Sequence, residues 1–245
     1  MIPKTIHYIW FGGKPLPKLA EKCIASWKKY LPDYEIKRWD ESNFDINIIP
    51  YTQEAAAAKK WAFVSDYARF WILYHYGGIY FDTDVEVIRP MNDILARGAY
   101  MGCECDDVSQ GVTIAPGLGF ACESGSTTLQ AIMDEYTERH FDPEHIDKTI
   151  VQHTTDYFCT QGFDDCNPND IQQVANFTIY PKEYFCPALL NLWNNITPNT
   201  RTIHHYAGSW QKPQYQFFHS IYFNIVAKNK VLGPLYLRIK QLLKR

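Results

Sequence analysis

Asp82 and Asp84 stand one residue apart just after the apolar run Gly78-Ile79-Tyr80-Phe81. In an extended strand successive side chains alternate faces, so the two carboxylates are expected to point the same way and Thr83 the other. Carboxylates aimed at one spot repel each other unless a cation sits between them. Hard oxygen ligands suit Mg²⁺ or Mn²⁺, ions that bridge a diphosphate well. By itself an Asp-x-Asp says little, because acidic residues at strand ends are most often simply solvated.

The segment before the pair sharpens the reading. From Trp61 to Tyr76 the chain lacks Pro and Gly, and Trp61, Val64, Ala68, Trp71 and Ile72 recur at helical spacing. That pattern predicts a buried helix closed by Gly77 and Gly78. Asp66 and Arg69, three residues apart, share another face with Leu73. Charges on so apolar a helix are costly to bury unless each meets a partner, so these two either pair with each other or meet a polar ligand.

The run Ser65-Asp66-x-x-Arg69-x-x-x-Leu73-x-x-x-Gly77-Gly78-x-Tyr80-x-Asp82-x-Asp84 closely resembles the sugar-nucleotide signature of glycosyltransferase family 32. The opening Ile2-Pro3-Lys4-Thr5-Ile6-His7-Tyr8-Ile9-Trp10-Phe11-Gly12-Gly13 and the late Ile203-His204-His205-Tyr206-Ala207-Gly208-Ser209-Trp210 are also similar to blocks of that family, in the same order. The resemblance implies an α/β GT-A fold, with a Rossmann-like, mainly parallel sheet flanked by helices. It also implies a retaining, metal-dependent transfer, by front-face attack, from a nucleotide sugar to a glycan or lipid-linked glycan acceptor in surface polysaccharide or glycoconjugate synthesis. Mn²⁺ or Mg²⁺ is the implied cofactor.

By the same resemblance Asp84 coordinates the metal directly, while Asp82 contacts the ribose or sugar and reaches the metal through water. His205 is the expected metal histidine, with His204 as the alternative. Asp66 and Arg69 match positions that hold the sugar hydroxyls and the diphosphate side. Tyr80 matches a position near the sugar, Trp10 one that stacks on the base, and Ser209 and Trp210 a mobile loop that closes over the diphosphate. A stacking Trp10 favours a UDP-sugar; GDP-mannose is the other donor the resemblance allows.

Composition bounds the rest. The 245 residues suit a single domain over 1–212 followed by basic amphipathic helices over 213–245. Seven cysteines, an odd number without a C-x-x-C pair, predict reduced thiols. The chain starts on its first strand and holds no apolar run long enough to span a bilayer, so a cytoplasmic location is expected. Charge is uneven: residues 1–183 carry a net −11 and the remainder +8. That asymmetry suits a peripheral contact with an anionic membrane on its inner face. No nucleic-acid motif accompanies it.

Two rival classes are weighed. Phosphatases of the haloacid dehalogenase type also use Asp-x-Asp after an apolar strand, but near the amino terminus and with Thr or Val where this chain has Glu86. A non-catalytic carbohydrate-binding protein could use the same aromatics, yet has no need of Asp82, Asp84 and Arg69 together.

Expected strands cover residues 5–11, 34–39, 79–88, 99–104, 119–122, 174–180 and 201–206, and expected helices 18–30, 126–139 and 146–161. Pro50 and Thr52 are expected to begin the helix that runs on to Tyr76. The strand of the paired aspartates is expected to leave the sheet beyond Asp82. Asp106, Asp107, Gln152 and His153 are polar residues near the predicted acceptor side.

Overall fold

The computed structural model describes residues 1–104, 111–146, 148–167, 169–187 and 196–208. The central element is β1 (Thr5–Ile9), apolar on both faces and almost wholly buried. Its alternation serves two layers: Ile6 and Tyr8 join one apolar cluster and Ile9 the other. Helix α1 (Lys18–Tyr30) buries Ala20, Cys23 and Trp27 on one stripe, and β2 (Glu35–Trp39) returns parallel to β1, completing a βαβ unit.

The helix expected from Pro50 to Tyr76 is two helices, α2 (Pro50–Ala57) and α3 (Trp61–Tyr76). Lys59 adopts φ 57. Lys59 N–H donates to the Ala56 carbonyl and Lys60 N–H to that of Ala55, at 2.9 and 2.8 Å. These bonds form the left-handed stop that usually carries glycine. With lysine in that place, the stop leaves no mark in the sequence. Helix α3 ends as expected, with Gly77 at φ 61 and its N–H bonded to the Leu73 carbonyl at 2.8 Å.

Beyond it lie β3 (Gly78–Tyr80), β4 (Val85–Val87), α4 (Asn92–Leu95), β5 (Tyr100–Glu104), β6 (Thr113–Ile114), a 3-10 turn at Pro116–Leu118, β7 (Phe120–Cys122), α5 (Thr127–Thr137) and α6 (Ile150–Thr160). The described chain closes with β8 (Gln172–Val174), β9 (Phe177–Tyr180), α7 (Lys182–Phe185) and β10 (Thr202–His204). The sheet order is β2-β1-β3-β7-β5-β9-β8, with β6 beside β5. Five of these strands run one way; β6, β7 and β8 run against them. The α/β architecture expected of a GT-A fold is present.

Two expected strands are corrected. Residues 174–180 hold a hairpin, because Ala175 and Asn176 sit at φ 49 and 66 and turn β8 back onto β9. Two consecutive left-handed residues make the hairpin turn that matches strand twist. Residues 79–88 hold a strand, a turn and a second strand: β3 stays in the main sheet, and β4 leaves it to pair antiparallel with β10. Val85 N–H donates to the Asp82 carbonyl at 3.0 Å and closes that turn.

Candidate functional site

β1 and β3 are adjacent and parallel, so Trp10 and Asp82 leave the sheet at the same carboxyl edge, the usual ligand edge of such sheets. His7 holds the two strands in register from inside. Trp39 Nε1 donates to its Nδ1 at 3.0 Å, which leaves Nε2 to carry the proton and donate to the Gly77 carbonyl at 3.0 Å. Burial, with Lys37 nearby and despite that backbone bond, lowers the His7 pKa to about 4. Helix α1 grips β4: Trp27 Nε1 donates to the Val85 carbonyl at 2.7 Å, and Val87 N–H to Ser26 Oγ at 2.9 Å.

The paired aspartates therefore lie on a turn clamped at both ends, not on a continuous strand, and this corrects the alternation expected for them. Tyr80 donates its hydroxyl to Asp82 Oδ1 at 2.7 Å. Arg69 Nη2 lies 3.1 Å from Asp66 Oδ1 and 3.5 Å from Asp82 Oδ1, and its Nε donates to the Ser65 carbonyl at 3.1 Å. The guanidinium also stands 5.0 Å above the Tyr80 ring. The pairing half of the sequence reading holds: Asp66 and Arg69 pair on α3, and Arg69 also reaches the Asp-x-Asp turn.

One cation among two carboxylates leaves this group short of positive charge. Burial pushes the Asp66 carboxyl up to about 7 despite the pull of Arg69. Burial works against the Arg69 charge too, but Asp82, Tyr80 and Asp66 outweigh it and hold the guanidinium protonated.

Asp84 faces His204. Its Oδ1 lies 3.1 Å from His204 Nε2, and its Oδ2 accepts from Ala207 N–H at 2.7 Å. Burial opposes both charges, yet mutual attraction and these bonds hold Asp84 down to about 2 and raise His204 to about 9. Oxygens of Asp82 and Asp84 and a ring nitrogen of His204 all lie within 4.8 Å of one another. His204 Nδ1 is buried and has no hydrogen-bond partner among the described residues. Two hard oxygens and one imidazole nitrogen converging this closely are a fitting donor set for a divalent cation.

His205 does not belong to this group, which corrects the expected ligand. Its Nε2 lies 2.8 Å from Glu86 Oε2, and Lys22 meets the same oxygen at 2.8 Å. The β4–β10 register pairs Ile203 with Glu86, so His205 falls on the Glu86 face and His204 on the opposite one. Strict alternation would put Asp84 beside Glu86; the turn frees its carboxylate to reach His204.

Trp10 is partly exposed at the strand end, with its Nε1 donating to the Lys14 carbonyl at 2.7 Å. Ser209, Trp210 and the helices expected over 213–245 lie outside the described residues, as do Asp106 and Asp107. Gln152 caps α6 with Thr149, and His153 is buried against Glu135 and Arg139, so both serve the fold. Sequence reasoning missed Gly117. A Cβ there would come 2.5 Å from Asp82 Oδ2 and 3.4 Å from Arg69 Nη1, so only a bare backbone passes.

Residues 17–100 match the family described as "Glycosyltransferase sugar-binding region containing DXD motif". This segment, which holds the α3 pair and the aspartate turn, is thus similar to glycosyltransferase sugar-binding regions of the DXD type. Two inositol phosphoceramide mannosyltransferases of Schizosaccharomyces pombe are similar to part of this chain. One is 28% identical over 111 residues, and the other 32% over 107. Each alignment takes in 41% of this chain but only 33% and 29% of the relatives, so about a third of their length is spanned. Among solved structures, the PaToxG glycosyltransferase aligns over 66% of this chain and 70% of its own with a TM-score of 0.49 at 18% identity.

Proposed function

We propose that the protein is a divalent-metal-dependent, retaining glycosyltransferase that moves a sugar from a nucleotide sugar to a glycan or lipid-linked glycan acceptor. The observation that carries this reading is the convergence of Asp82 and Asp84, within the matched residues 17–100, with His204 from β10, beside the Asp66–Arg69 pair. Asp82, Asp84 and His204 would hold Mn²⁺ or Mg²⁺, which when bound neutralises the charge that grows on a departing diphosphate.

The chain's own groups supply the rest. Arg69 offers a rigid fork of donors to sugar hydroxyl or phosphate oxygens, and Asp66 and Tyr80 keep that fork in place. Asp82, already bonded to Tyr80 and near Arg69, couples the sugar side of the crevice to the cation side. Trp10 at the sheet edge offers a ring face to the base, which favours a UDP-sugar. The two yeast relatives are mannosyltransferases of inositol phosphoceramide, which supports GDP-mannose and a lipid acceptor as the competing pair. Ser209 and Trp210 would close the crevice and keep water out, favouring transfer over hydrolysis. A lipid-linked acceptor suits a peripheral place on the inner face of a cytoplasmic membrane, as in capsule or other surface polysaccharide synthesis.

The test is turnover of a panel of UDP- and GDP-sugars with Mn²⁺, read by mass spectrometry of the released nucleotide. One donor should be turned over, and Asp84→Ala should abolish turnover while the variant stays folded. Full activity in that variant, or in wild type with excess chelator, refutes metal-dependent transfer. Sugar binding without turnover of any donor returns the protein to the carbohydrate-binding class.

A further inference from the structure

Just past β10 the backbone takes an unfavourable course. Tyr206 sits at φ 48, in the left-handed region. For a residue with a Cβ this costs about 1–2 kcal/mol, a cost glycine escapes. The turn so made brings Ala207 N–H onto Asp84 Oδ2 at 2.7 Å, while His205 N–H meets the Asp84 carbonyl at 3.0 Å. One short segment thus holds both the main chain and the carboxylate of Asp84.

The far end of the Tyr206 side chain is tied as well. Its hydroxyl donates to Glu104 Oε2 at 2.8 Å, at the end of β5, and lies 2.9 Å from Cys186 Sγ. Its ring packs against the His204 imidazole with centroids 4.1 Å apart. These contacts come from the main sheet, from the chain after α7 and from a member of the cation cluster, and together they oppose relaxation of the strained backbone.

We propose that Tyr206 is a positioning residue for the cation site: its left-handed backbone, anchored through its hydroxyl to Glu104, orients Asp84 for metal binding. Ala207 N–H engages one carboxylate oxygen, and the other faces His204. A carboxylate held before the ion arrives loses less freedom on binding, and the partners that hold a ligand tune affinity for the metal. The inference rests on the metal-dependent reading above.

The experiment titrates Mn²⁺ into the full chain without donor and follows the electron paramagnetic resonance signal of the free ion. Wild type should bind, and Asp84→Asn should lose binding. Tyr206→Phe, which cuts only the hydroxyl anchor, should bind about tenfold more weakly, the lower end expected when a metal ligand loses its supporting partner. Tyr206→Val, whose branched side chain disfavours the left-handed region, should bind more weakly still. Thr128→Val serves as control: it removes the bond from Thr128 Oγ1 to the Ala175 carbonyl, 2.7 Å long at the opposite end of the strands. It should lower thermal stability and leave Mn²⁺ affinity unchanged, which separates positioning from general loosening. If Tyr206→Phe binds within twofold of wild type while Asp84→Asn does not bind, the positioning role is refuted and the cation site stands. If wild type binds no Mn²⁺, the cation reading falls and this inference with it. Should Tyr206→Phe fail to fold, Glu104→Ala removes the Glu104 half of the anchor, leaves the Cys186 contact, and is judged by the same twofold criterion.

Discussion

Gly117→Ala tests the geometry of the crevice floor with a single methyl group. Gly117 is not among the positive-φ glycines, so alanine costs nothing in backbone conformation and the substitution isolates a collision. The new Cβ would stand 2.5 Å from Asp82 Oδ2, inside the 3.0 Å limit that real Cβ atoms respect. Asp82 must therefore move by about 0.5 Å or more, away from Tyr80, Arg69 or both, and displacements approaching 1 Å cost on the order of 100-fold in rate. We expect turnover to fall roughly 10- to 100-fold at saturating donor. Stability should fall by about 1–3 kcal/mol, the usual cost of overpacking. Urea unfolding of wild type, Gly117→Ala, Asp82→Ala and the double variant checks the cause. With the carboxylate gone the methyl group has room, so its cost should shrink and the cycle should show a coupling of about 1 kcal/mol or more. An additive cycle, together with wild-type turnover in Gly117→Ala, refutes the argument.

Arg69→Lys keeps the charge but cannot span Ser65, Asp66 and Asp82 together, so turnover should drop about tenfold or more with an unchanged far-UV spectrum, the effect of losing one charge-assisted hydrogen bond of about 1.5–3 kcal/mol; unchanged turnover leaves Arg69 as a structural pair with Asp66. His7 is neutral in the fold, with its pKa lowered to about 4 from 6.5, so its contribution is intact above pH 6.5 and is lost as pH falls toward 4. The loss should reach about 3 kcal/mol in denaturant titrations. His7→Gln should flatten that dependence, and an equally acid-sensitive variant overturns the assignment. The basic segment from Pro234, with Leu235, Ile239, Leu242 and Leu243 spaced for one helical face, should bind acidic vesicles at low salt. In liposome sedimentation, equal binding by the whole chain and by one ending at Gly233 points to a soluble acceptor instead.

Helix α1 runs over the residues expected of it, and α3 stops where expected, because each rests on a local pattern: an apolar stripe at helical spacing, and a glycine where the helix stops. Helix α2 was hidden in the same segment because its stop uses Lys59, and a lysine forced into the left-handed region looks like any other lysine in sequence. The 174–180 hairpin was missed for a related reason, with alanine leading the turn instead of glycine.

At the site, spacing alone determined that Asp66 and Arg69 would share a helix face, since residues three apart on a helix are neighbours. It also placed Asp82 and Asp84 together at the end of an apolar strand, where a sheet of this kind opens to ligands. Spacing could not say which histidine joins them. His204 and His205 are neighbours with opposite facings, and the choice is made by the pairing of β10 with β4, more than a hundred residues away in sequence. Nor could it show that Arg69 reaches Asp82, that a bare Gly117 lies against the same carboxylate, or that Tyr206 turns a backbone N–H onto Asp84. Local periodicity states which residues of one segment share a face. What that face meets depends on strand register and on turns from other segments, and those exist only once the chain has folded.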